Sequence, residues 1–373
     1  MRTLTLAEPE RDGNRITFRW RVEPASETYR REHFTLEFPA SVDLGRVPRP
    51  VWWYVALVTL HTHWLLLRPC TVRLPVTLPP GERDFWLRLL ETEADALDFP
   101  REAGGELDKT LTIEDFGPEL AAVEPCPGDR YLSAFSGGKD SLVQSALLCE
   151  LGIRPLLVTV KSSLPPHVDL DLPRRAEILE AIQQRRDVDL VELHSDLRSA
   201  WENHFPRTAG YDTTVNEFAD HGLYVGAMVA TAFATGAPHL LLASELDSSV
   251  SVEREGRVVL GRFFMTSALV VAALDRLLQR LGLRYSSTIM PLPSHEVGAL
   301  LWTRYRDIAD LQYSCWRATE ARLYCGECDK CWGIAGWLVT LGEWPGTIGL
   351  DLVHALNSRR EWAPPAPPAD GPS

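Results

Sequence analysis

The middle of the chain reads Tyr131-Leu132-Ser133-Ala134-Phe135-Ser136-Gly137-Gly138-Lys139-Asp140-Ser141. Its first five residues alternate and carry aromatic side chains, which predicts a short buried strand. After this stretch, leucines recur at helical spacing, at Leu142, Leu147, Leu148 and Leu151. A loop with two consecutive glycines therefore joins a strand to a helix, as is typical of an alternating α/β fold.

The loop has the composition of a phosphate-binding site. Consecutive glycines let the backbone approach an anion and adopt torsions that are closed to other residues. The N–H groups and the dipole of the following helix favour phosphate, and a lysine adds a full positive charge. We predict that a nucleotide binds at Ser136, Gly137, Gly138, Lys139, Asp140 and Ser141. The alternative is a Gly-Gly turn at an ordinary strand-to-helix junction.

The order Ser-Gly-Gly-Lys-Asp-Ser differs from the Walker type, which needs a longer glycine-to-lysine spacing followed by Ser or Thr. It resembles the signature of the PP-loop ATP pyrophosphatases. That resemblance implies cleavage of ATP to AMP and pyrophosphate, usually with transfer of the adenylyl group to a substrate oxygen.

From residue 121 onward, strand and helix signals alternate as a parallel sheet requires. The predicted strands are 131–135, 154–160, 188–193 and 239–244, and the predicted helices include 174–186 and about 222–235. We predict an α/β fold with a doubly wound parallel sheet of the PP-loop (adenine nucleotide α-hydrolase-like) type. Because ligands gather at the carboxyl ends of strands in such sheets, Ser136, Lys161 and Glu245 should lie near one crevice.

Residues 1–125 have a different texture, with short alternating segments and two helices. The predicted elements are an antiparallel pair of strands at 15–22 and 33–38, a buried helix at 51–67, a strand at 71–76 and a helix at 85–97. We therefore predict a smaller α+β N-terminal domain over 1–125. A PP-loop ATP-binding catalytic domain should follow over 126–361, and a Pro-rich disordered tail over 362–373.

The composition is that of an ordinary protein with one large core or two modest ones, since 45% of the 373 residues are hydrophobic and 24% are charged. Its formal charge of -13 comes from 51 acidic and 38 basic residues without a long basic block, so we expect no nucleic-acid partner. The stretch 51–67 is too short and too polar in its centre to span a membrane. No secretory signal is evident, and we expect a cytoplasmic protein.

Four of the seven cysteines fall in one short segment with the spacing C-x9-C-x2-C-x2-C, namely Cys315, Cys325, Cys328 and Cys331. Four thiolates at this spacing can close a tetrahedral shell around zinc, and with no open coordination position the metal would be structural. An iron–sulfur cluster is the alternative, since some PP-loop sulfur-transfer enzymes carry one. The other three cysteines are spread through apolar surroundings, and we assign them no role.

The loop and the cysteine segment together resemble two enzyme families. In plan they are similar to 7-cyano-7-deazaguanine synthase, a shorter enzyme that activates a carboxylate with ATP and carries a four-cysteine zinc site. Most of the chain resembles the ATP-dependent UDP-N-acetylmuramoyl-L-alanyl-L-glutamate epimerase family, which has a strand-rich N-terminal domain, a G-G-K-D-S loop and a C-G-x-C-x-K-C knuckle. Here these motifs are Gly137-Gly138-Lys139-Asp140-Ser141 and Cys325-Gly326-Glu327-Cys328-Asp329-Lys330-Cys331.

Two segments depart from the epimerase pattern. The family's S-N-E-x-S-A-S segment is matched in part by Ser244-Glu245 and Ser249, with Ser in place of Asn and Asp247-Ser248 between the serines. Its Gly-His-x-Pro-Val reads here His221-Gly222-Leu223-Tyr224-Val225, without the proline. Both segments lie where the substrate should bind. The resemblance therefore supports the predicted ATP chemistry more strongly than it supports the identity of the substrate.

The epimerase resemblance implies adenylation of the terminal glutamate carboxylate of a UDP-MurNAc-L-Ala-L-Glu-type peptidoglycan precursor, inversion of its α-carbon, and release of AMP and pyrophosphate. The implied cofactors are ATP, Mg²⁺ and structural Zn²⁺. Lys139 would offset charge on the phosphates, with Asp140 and Glu245 as magnesium contacts. Glu245, His221 and His295 are the candidates for the proton-abstracting base. The arginines available for an anionic substrate are Arg254, Arg257, Arg262 and Arg317.

Two other functions remain open. An amidating ligase or a sulfur-transfer enzyme acting on a base or another small carboxylate would use the same ATP site. A non-catalytic nucleotide sensor would keep the fold without the chemistry, and the intact loop argues against it. The oligomeric state cannot be read from these patterns.

Overall fold

In a computed structural model of the protein, the described residues are 1–98, 110–162, 172–202, 215–254, 257–260, 264–315 and 322–358. The predicted Pro-rich tail lies outside them, as do Arg262 and Arg317. The side chains of Arg254 and Arg257 are likewise not described. The predicted role of these four arginines therefore stays a prediction.

Strands and helices alternate along most of the described chain. The strands are β1 Arg2–Leu6, β2 Glu10–Asp12, β3 Arg15–Glu23, β4 His33–Glu37, β5 Cys70–Leu74, β6 Leu111–Asp115, β7 Tyr131–Ala134, β8 Leu156–Ser162, β9 Asp189–Ser195, β10 His239–Leu241, β11 Ser251–Arg254, β12 Arg257–Leu260 and β13 Arg284–Ser286. The α-helices are α1 Val51–Trp64, α2 Glu82–Asp98, α3 Lys139–Glu150, α4 Leu172–Arg185, α5 Val215–Thr235, α6 Ala268–Leu278, α7 Ser294–Thr303, α8 Asp329–Thr340 and α9 Leu352–Ser358.

Eleven of these strands form one mixed sheet in the order β13-β10-β7-β8-β9-β4-β3-β1-β5-β6, with β2 paired to β3. The five strands from β13 to β9 are parallel. Pairing is antiparallel from β9 through β4 and β3 to β1, and parallel again from β1 through β5 to β6. The α/β prediction is confirmed. The sheet as a whole is mixed rather than parallel, because the N-terminal strands extend it.

The N-terminal strands join the parallel strands through β4 and β9. Leu36 pairs with Ser195 and Glu37 with His194, in antiparallel register. Just beyond β9, Oδ1 of Asp196 accepts a hydrogen bond from the Thr35 N–H at 2.6 Å. The boundary predicted at residue 125 lies between β6 and β7, which are two strands of this same sheet.

Both faces of the parallel strands are covered by helices. On β8, Leu156, Val158 and Val160 pack into a core that also contains side chains of α1, α5 and α6. Leu157 points to the other face, into a second core with side chains of α3, α4, α7 and α8. Burial on both faces explains why the sequence of β8 is a nearly continuous apolar run.

Helix α1 is the apolar segment predicted to be a buried helix, and all of its residues are buried. It packs mainly against α5, whose glycines and alanines allow close contact between the two helices. Nowhere in the described ranges does a helix have the length and apolar character that crossing a bilayer requires.

Candidate nucleotide site and metal centre

The loop between β7 and α3 needs glycine at Gly137, whose backbone is left-handed, and is closely packed at Gly138. Gly137 has a φ of +81°, and a Cβ added there would lie 3.3 Å from Cδ1 of Ile178. A Cβ at Gly138 would lie 3.3 Å from Oγ of Ser314. Helix α3 begins at Lys139, so its first N–H groups have no acceptor within the helix and point towards the loop. This geometry favours an anion.

The loop lies where the order of the parallel strands reverses. From β7 the chain proceeds to β8 and β9 on one side, whereas β10 and β13 lie on the other side. Open α/β sheets bind ligands outside the carboxyl ends of the strands at such a point. Ser136 follows β7 and Glu245 follows β10, and these two strands are adjacent and parallel. The structure thus brings the two predicted residues to one crevice.

Lys139, Asp140 and Glu245 form an ion cluster in this crevice. Nζ of Lys139 lies 2.5 Å from Oε2 of Glu245 and also donates to Oδ1 of Asp140. The exposed fraction of the side chain is 11% for Lys139, 19% for Glu245 and 34% for Asp140. The cluster is therefore mostly shielded, which strengthens its electrostatics, yet it remains open to solvent on one side.

The protonation of the cluster reflects burial and the crowding of like charges. Burial and the negative charge of Asp140 raise the pKa of Glu245 above its ordinary value, although Lys139 opposes this. Burial alone would lower the pKa of Lys139, but the two carboxylates outweigh it and the pKa is raised. Lys139 therefore stays charged. Two carboxylates beside each other are also ligands that Mg²⁺ accepts, and the cation would relieve their mutual repulsion.

Gln144, on the second turn of α3, forms hydrogen bonds to three segments beside the crevice. Its Nε2 donates to Oγ of Ser133 at 3.0 Å and to the carbonyl of Leu241 at 3.3 Å. Its Oε1 accepts from the Thr288 N–H at 3.2 Å. One buried side chain thus connects β7, β10 and the segment after β13. No sequence pattern indicates a role for Gln144, because a glutamine within a helix belongs to no motif; its position shortly after the loop was the available signal.

The polar residues of the segment after β10 bond either to the ion cluster or to the start of a helix. Oδ2 of Asp247 accepts from the Ser294 N–H at 2.8 Å, at the start of α7. Oγ of Ser249 accepts from the Ala268 N–H at 2.8 Å, at the start of α6. Glu245 is the residue of this segment that reaches Lys139. Asp247 and Ser249 hold the segment in place by capping the helices, which leaves Glu245 directed at the loop.

In the described residues, three other candidates from the sequence form no hydrogen bond or ion pair with the cluster. Nζ of Lys161 pairs with Glu192 on the neighbouring strand. His221 is buried on α5, 3.5 Å from the hydroxyl of Tyr285, and burial with a smaller contribution from His61 lowers its pKa to about 3. His295 is exposed on α7. Neither histidine is thus bonded to the ion cluster, whereas Glu245 is part of it.

The four predicted metal ligands come together in one buried group. Their Sγ atoms all lie within 4.8 Å of one another. The separations are 3.9 Å for Cys315 and Cys328, 3.8 Å for Cys325 and Cys331, and 3.5 Å for Cys328 and Cys331. Zinc–sulfur bonds of about 2.3 Å in a tetrahedron place the sulfurs roughly 3.8 Å apart. The group could therefore hold a metal ion such as zinc.

Residues 312–315, which we call the connecting segment, join this metal centre to the loop. The Tyr313 N–H donates to the carbonyl of Gly137 at 2.9 Å. The carbonyl of Gln312 accepts from the hydroxyl of Tyr324 at 2.6 Å, directly before Cys325. The segment ends at Cys315, whose Sγ accepts from the Cys325 N–H at 3.3 Å. The position of the loop thus depends on residues that the cysteines hold together.

No protein-family model matches this chain, and no curated protein matches it. The likeness to PP-loop enzymes therefore rests on the motifs and on the geometry that they adopt.

Proposed function

We propose that the protein is an ATP-dependent, AMP-forming enzyme of the PP-loop type that activates a carboxylate. The observation that carries this proposal is the cluster of Lys139, Asp140 and Glu245, which lies at the start of α3 and at the strand-order reversal of the sheet. Cations and free N–H groups on one side of a crevice, with two carboxylates for a divalent cation, are what a magnesium–nucleotide complex requires.

Each part of the crevice has a task in this proposal. The backbone of Gly137 and Gly138, together with the first turn of α3, binds phosphate oxygens, because a side chain at either glycine would crowd Ile178 or Ser314. Lys139 neutralises charge that builds up on the phosphates. Asp140 and Glu245 hold Mg²⁺ once it displaces Lys139 from their oxygens.

For the acceptor we propose the glutamate carboxylate of a UDP-MurNAc-L-Ala-L-Glu-type precursor. A carboxylate resists loss of its α-proton because a second negative charge would form beside the first. Attack of the carboxylate on the α-phosphorus of ATP releases pyrophosphate and forms an acyl-adenylate, which removes the first charge and acidifies the α-carbon, so that the proton can leave one face and return to the other. Water then hydrolyses the adenylate and releases AMP with the epimerised acid.

For the metal centre we propose zinc rather than an iron–sulfur cluster. A cluster of several irons stands between its cysteines and holds their sulfurs apart, whereas the sulfurs here are within 3.5–3.9 Å in three pairs. This spacing fits one tetrahedral ion. All four cysteines supply the shell, so the zinc has a structural task and takes no part in the reaction.

The proposal is tested by incubating the purified full-length chain with ATP, Mg²⁺ and UDP-MurNAc-L-Ala-L-Glu in D₂O. We expect AMP and pyrophosphate to form only when the acceptor is present, and the product to contain D-glutamate with deuterium at its α-carbon. Lys139→Gln is the negative control, and Arg15→Gln, which removes a half-exposed surface charge, is the matched positive control.

The same assay separates the alternatives. AMP formation with a different carboxylate, without deuterium uptake, would leave ATP activation standing and replace the epimerase by an amidating or sulfur-transferring enzyme. Absence of AMP with every acceptor tested, together with absence of ATP binding, would contradict the proposal as a whole.

A further inference from the structure

Lysine is rare in this chain, and the few lysines are unevenly placed. The sequence contains 38 basic residues, of which only Lys109, Lys139, Lys161 and Lys330 are lysines. Lys109 lies outside the described residues, and Lys161 pairs with Glu192. The other two lie at the nucleotide crevice and in the cysteine knuckle. Lysine differs from arginine in being a compact point charge with rotatable donors.

Lys330 belongs to the cysteine knuckle and lies near the nucleotide crevice. It stands between the metal ligands Cys328 and Cys331 at the start of α8, and its side chain is exposed to solvent. The surrounding protein atoms desolvate its ammonium, which lowers the pKa of Lys330, and the charges of Asp140, Lys139 and Glu245 also act on it. The knuckle therefore places a second lysine within electrostatic range of the crevice.

The connecting segment fixes the distance between the knuckle and the loop. Tyr313 is hydrogen-bonded to Gly137, and Oγ of Ser314 lies beside Gly138. Cys315 then enters the metal centre that also holds the residues flanking Lys330. The metal centre therefore holds the backbone on either side of Lys330, and the connecting segment links that centre to the phosphate loop.

The balance of charges in the crevice indicates what Lys330 could contribute there. One lysine and two carboxylates leave the cluster with a net negative charge, which repels a triphosphate until a cation compensates it. Lys139 is already bonded to both carboxylates. Lys330 supplies positive charge at the same crevice from a solvent-exposed position.

We propose that Lys330 is a second phosphate-binding residue, delivered to the nucleotide by the cysteine knuckle. The inference rests on the proposed function and names a residue that the loop motif does not contain. It also assigns the metal centre a purpose, which is to hold this lysine and the loop in one rigid arrangement.

The test measures binding rather than turnover. The full-length chain and its Lys330→Gln and Lys330→Arg variants are titrated with a magnesium complex of a non-hydrolysable ATP analogue and, separately, with adenosine. Metal content per chain is measured in the same samples. We expect Lys330→Gln to weaken binding of the triphosphate roughly tenfold or more, with adenosine affinity and metal content unchanged, and Lys330→Arg to recover part of the loss.

Arg306→Gln serves as the matched control, because it removes one positive charge from an ion pair with Glu343 just beyond α8. It should bind the triphosphate as the unaltered protein does. Equal affinity of Lys330→Gln and the unaltered protein for the triphosphate would overturn the inference. An equal loss for adenosine, or loss of the metal, would also overturn it. Absence of triphosphate binding by the unaltered protein would instead remove the proposed function.

Discussion

In the described part of the chain, the crevice cluster and an ion pair between two N-terminal helices differ in how far they are closed to solvent. Lys139, Asp140 and Glu245 form the crevice cluster, whose side chains keep between 11% and 34% of their surface exposed. His61 of α1 and Glu93 of α2 form a pair whose side chains have no exposed surface. Both groups join a cation to a carboxylate, but only the crevice cluster can be reached by a ligand.

The imidazole of His61 has an acceptor on each side of its ring. Nδ1 of His61 lies 2.9 Å from the carbonyl of Val58, and Nε2 lies 3.0 Å from Oε1 of Glu93. Acceptors at both ring nitrogens favour the doubly protonated imidazolium. Burial lowers the pKa of His61, but the charge and hydrogen bond of Glu93 outweigh it and the pKa is raised. His63, two residues on, stacks on Trp201, and burial followed by the influence of His61 lowers its pKa to about 3.

The two groups should respond differently to substitution. A closed ion pair cannot exchange its partners, so removing one leaves the other charge uncompensated within the core. An open cluster can release Lys139 from its carboxylates when a nucleotide and a cation enter. We therefore expect changes to the closed pair to affect stability and changes to the crevice cluster to affect ligand binding.

The largest expected effect is on stability, from Glu93→Gln. Loss of the carboxylate leaves the His61 imidazolium without its partner, and we expect the free energy of unfolding to fall by about 3 kcal/mol. Urea unfolding measures it. Glu91→Gln is the control, since Glu91 is exposed on the same helix and its change should cost no more than about 0.5 kcal/mol. Equal stability of the two variants would show that the closed pair is not ionic.

The next effect is on turnover, from Lys139→Gln. Removing the charge that offsets the phosphates should lower the rate of pyrophosphate release by about 100-fold or more. Stability should change far less than in Glu93→Gln, because Glu245 can take up a proton once its cation is gone. A coupled pyrophosphate assay measures the rate. Undiminished turnover would show that the crevice cluster has no part in the reaction.

A smaller effect is expected from Gly137→Ala, compared with Gly152→Ala. Both glycines have positive φ, at +81° and +76°, so both variants carry a similar torsional cost of about 1 kcal/mol. A Cβ at Gly152 meets nothing within 4 Å, whereas one at Gly137 meets Ile178 beside the loop. Titration with an ATP analogue should show roughly tenfold weaker binding for Gly137→Ala alone. The same loss in both variants would mean that the loop does not bind the nucleotide.

The smallest effect is a pH dependence of cation binding. Burial and Asp140 raise the pKa of Glu245, so below that pKa its carboxyl holds a proton that competes with Mg²⁺. The apparent affinity for Mg²⁺ in the presence of nucleotide should therefore increase as pH rises through this pKa. Each unit of pH corresponds to at most about 1.4 kcal/mol. Glu245→Gln should remove this dependence, and a profile unchanged in that variant would assign it to another group.

The crevice cluster and the closed His61–Glu93 pair also differ in whether the sequence predicts them. The crevice cluster was foreseen, because Lys139 and Asp140 belong to a motif and Glu245 follows a predicted strand. The cysteine centre was foreseen from spacing alone. The His61–Glu93 pair was not, since its partners are on different helices and belong to no motif.

The overall sheet could be predicted only in part. Alternating apolar residues indicated most of the strands, but which strands pair depends on contacts between distant residues. The antiparallel pairing of Leu36 with Ser195 joins segments that no local pattern connects. The three-residue strand β13 was missed because so short a segment has too few residues to show a period.

The central claim is that the loop at residues 136–141 binds the phosphates of a nucleotide. Calorimetric titration of the full-length chain and of Lys139→Gln with a magnesium complex of a non-hydrolysable ATP analogue tests it most directly. The claim predicts one saturable site per chain in the unaltered protein and binding at least about 100-fold weaker in Lys139→Gln. No saturable binding by the unaltered protein, or equal affinity in the two proteins, would contradict it.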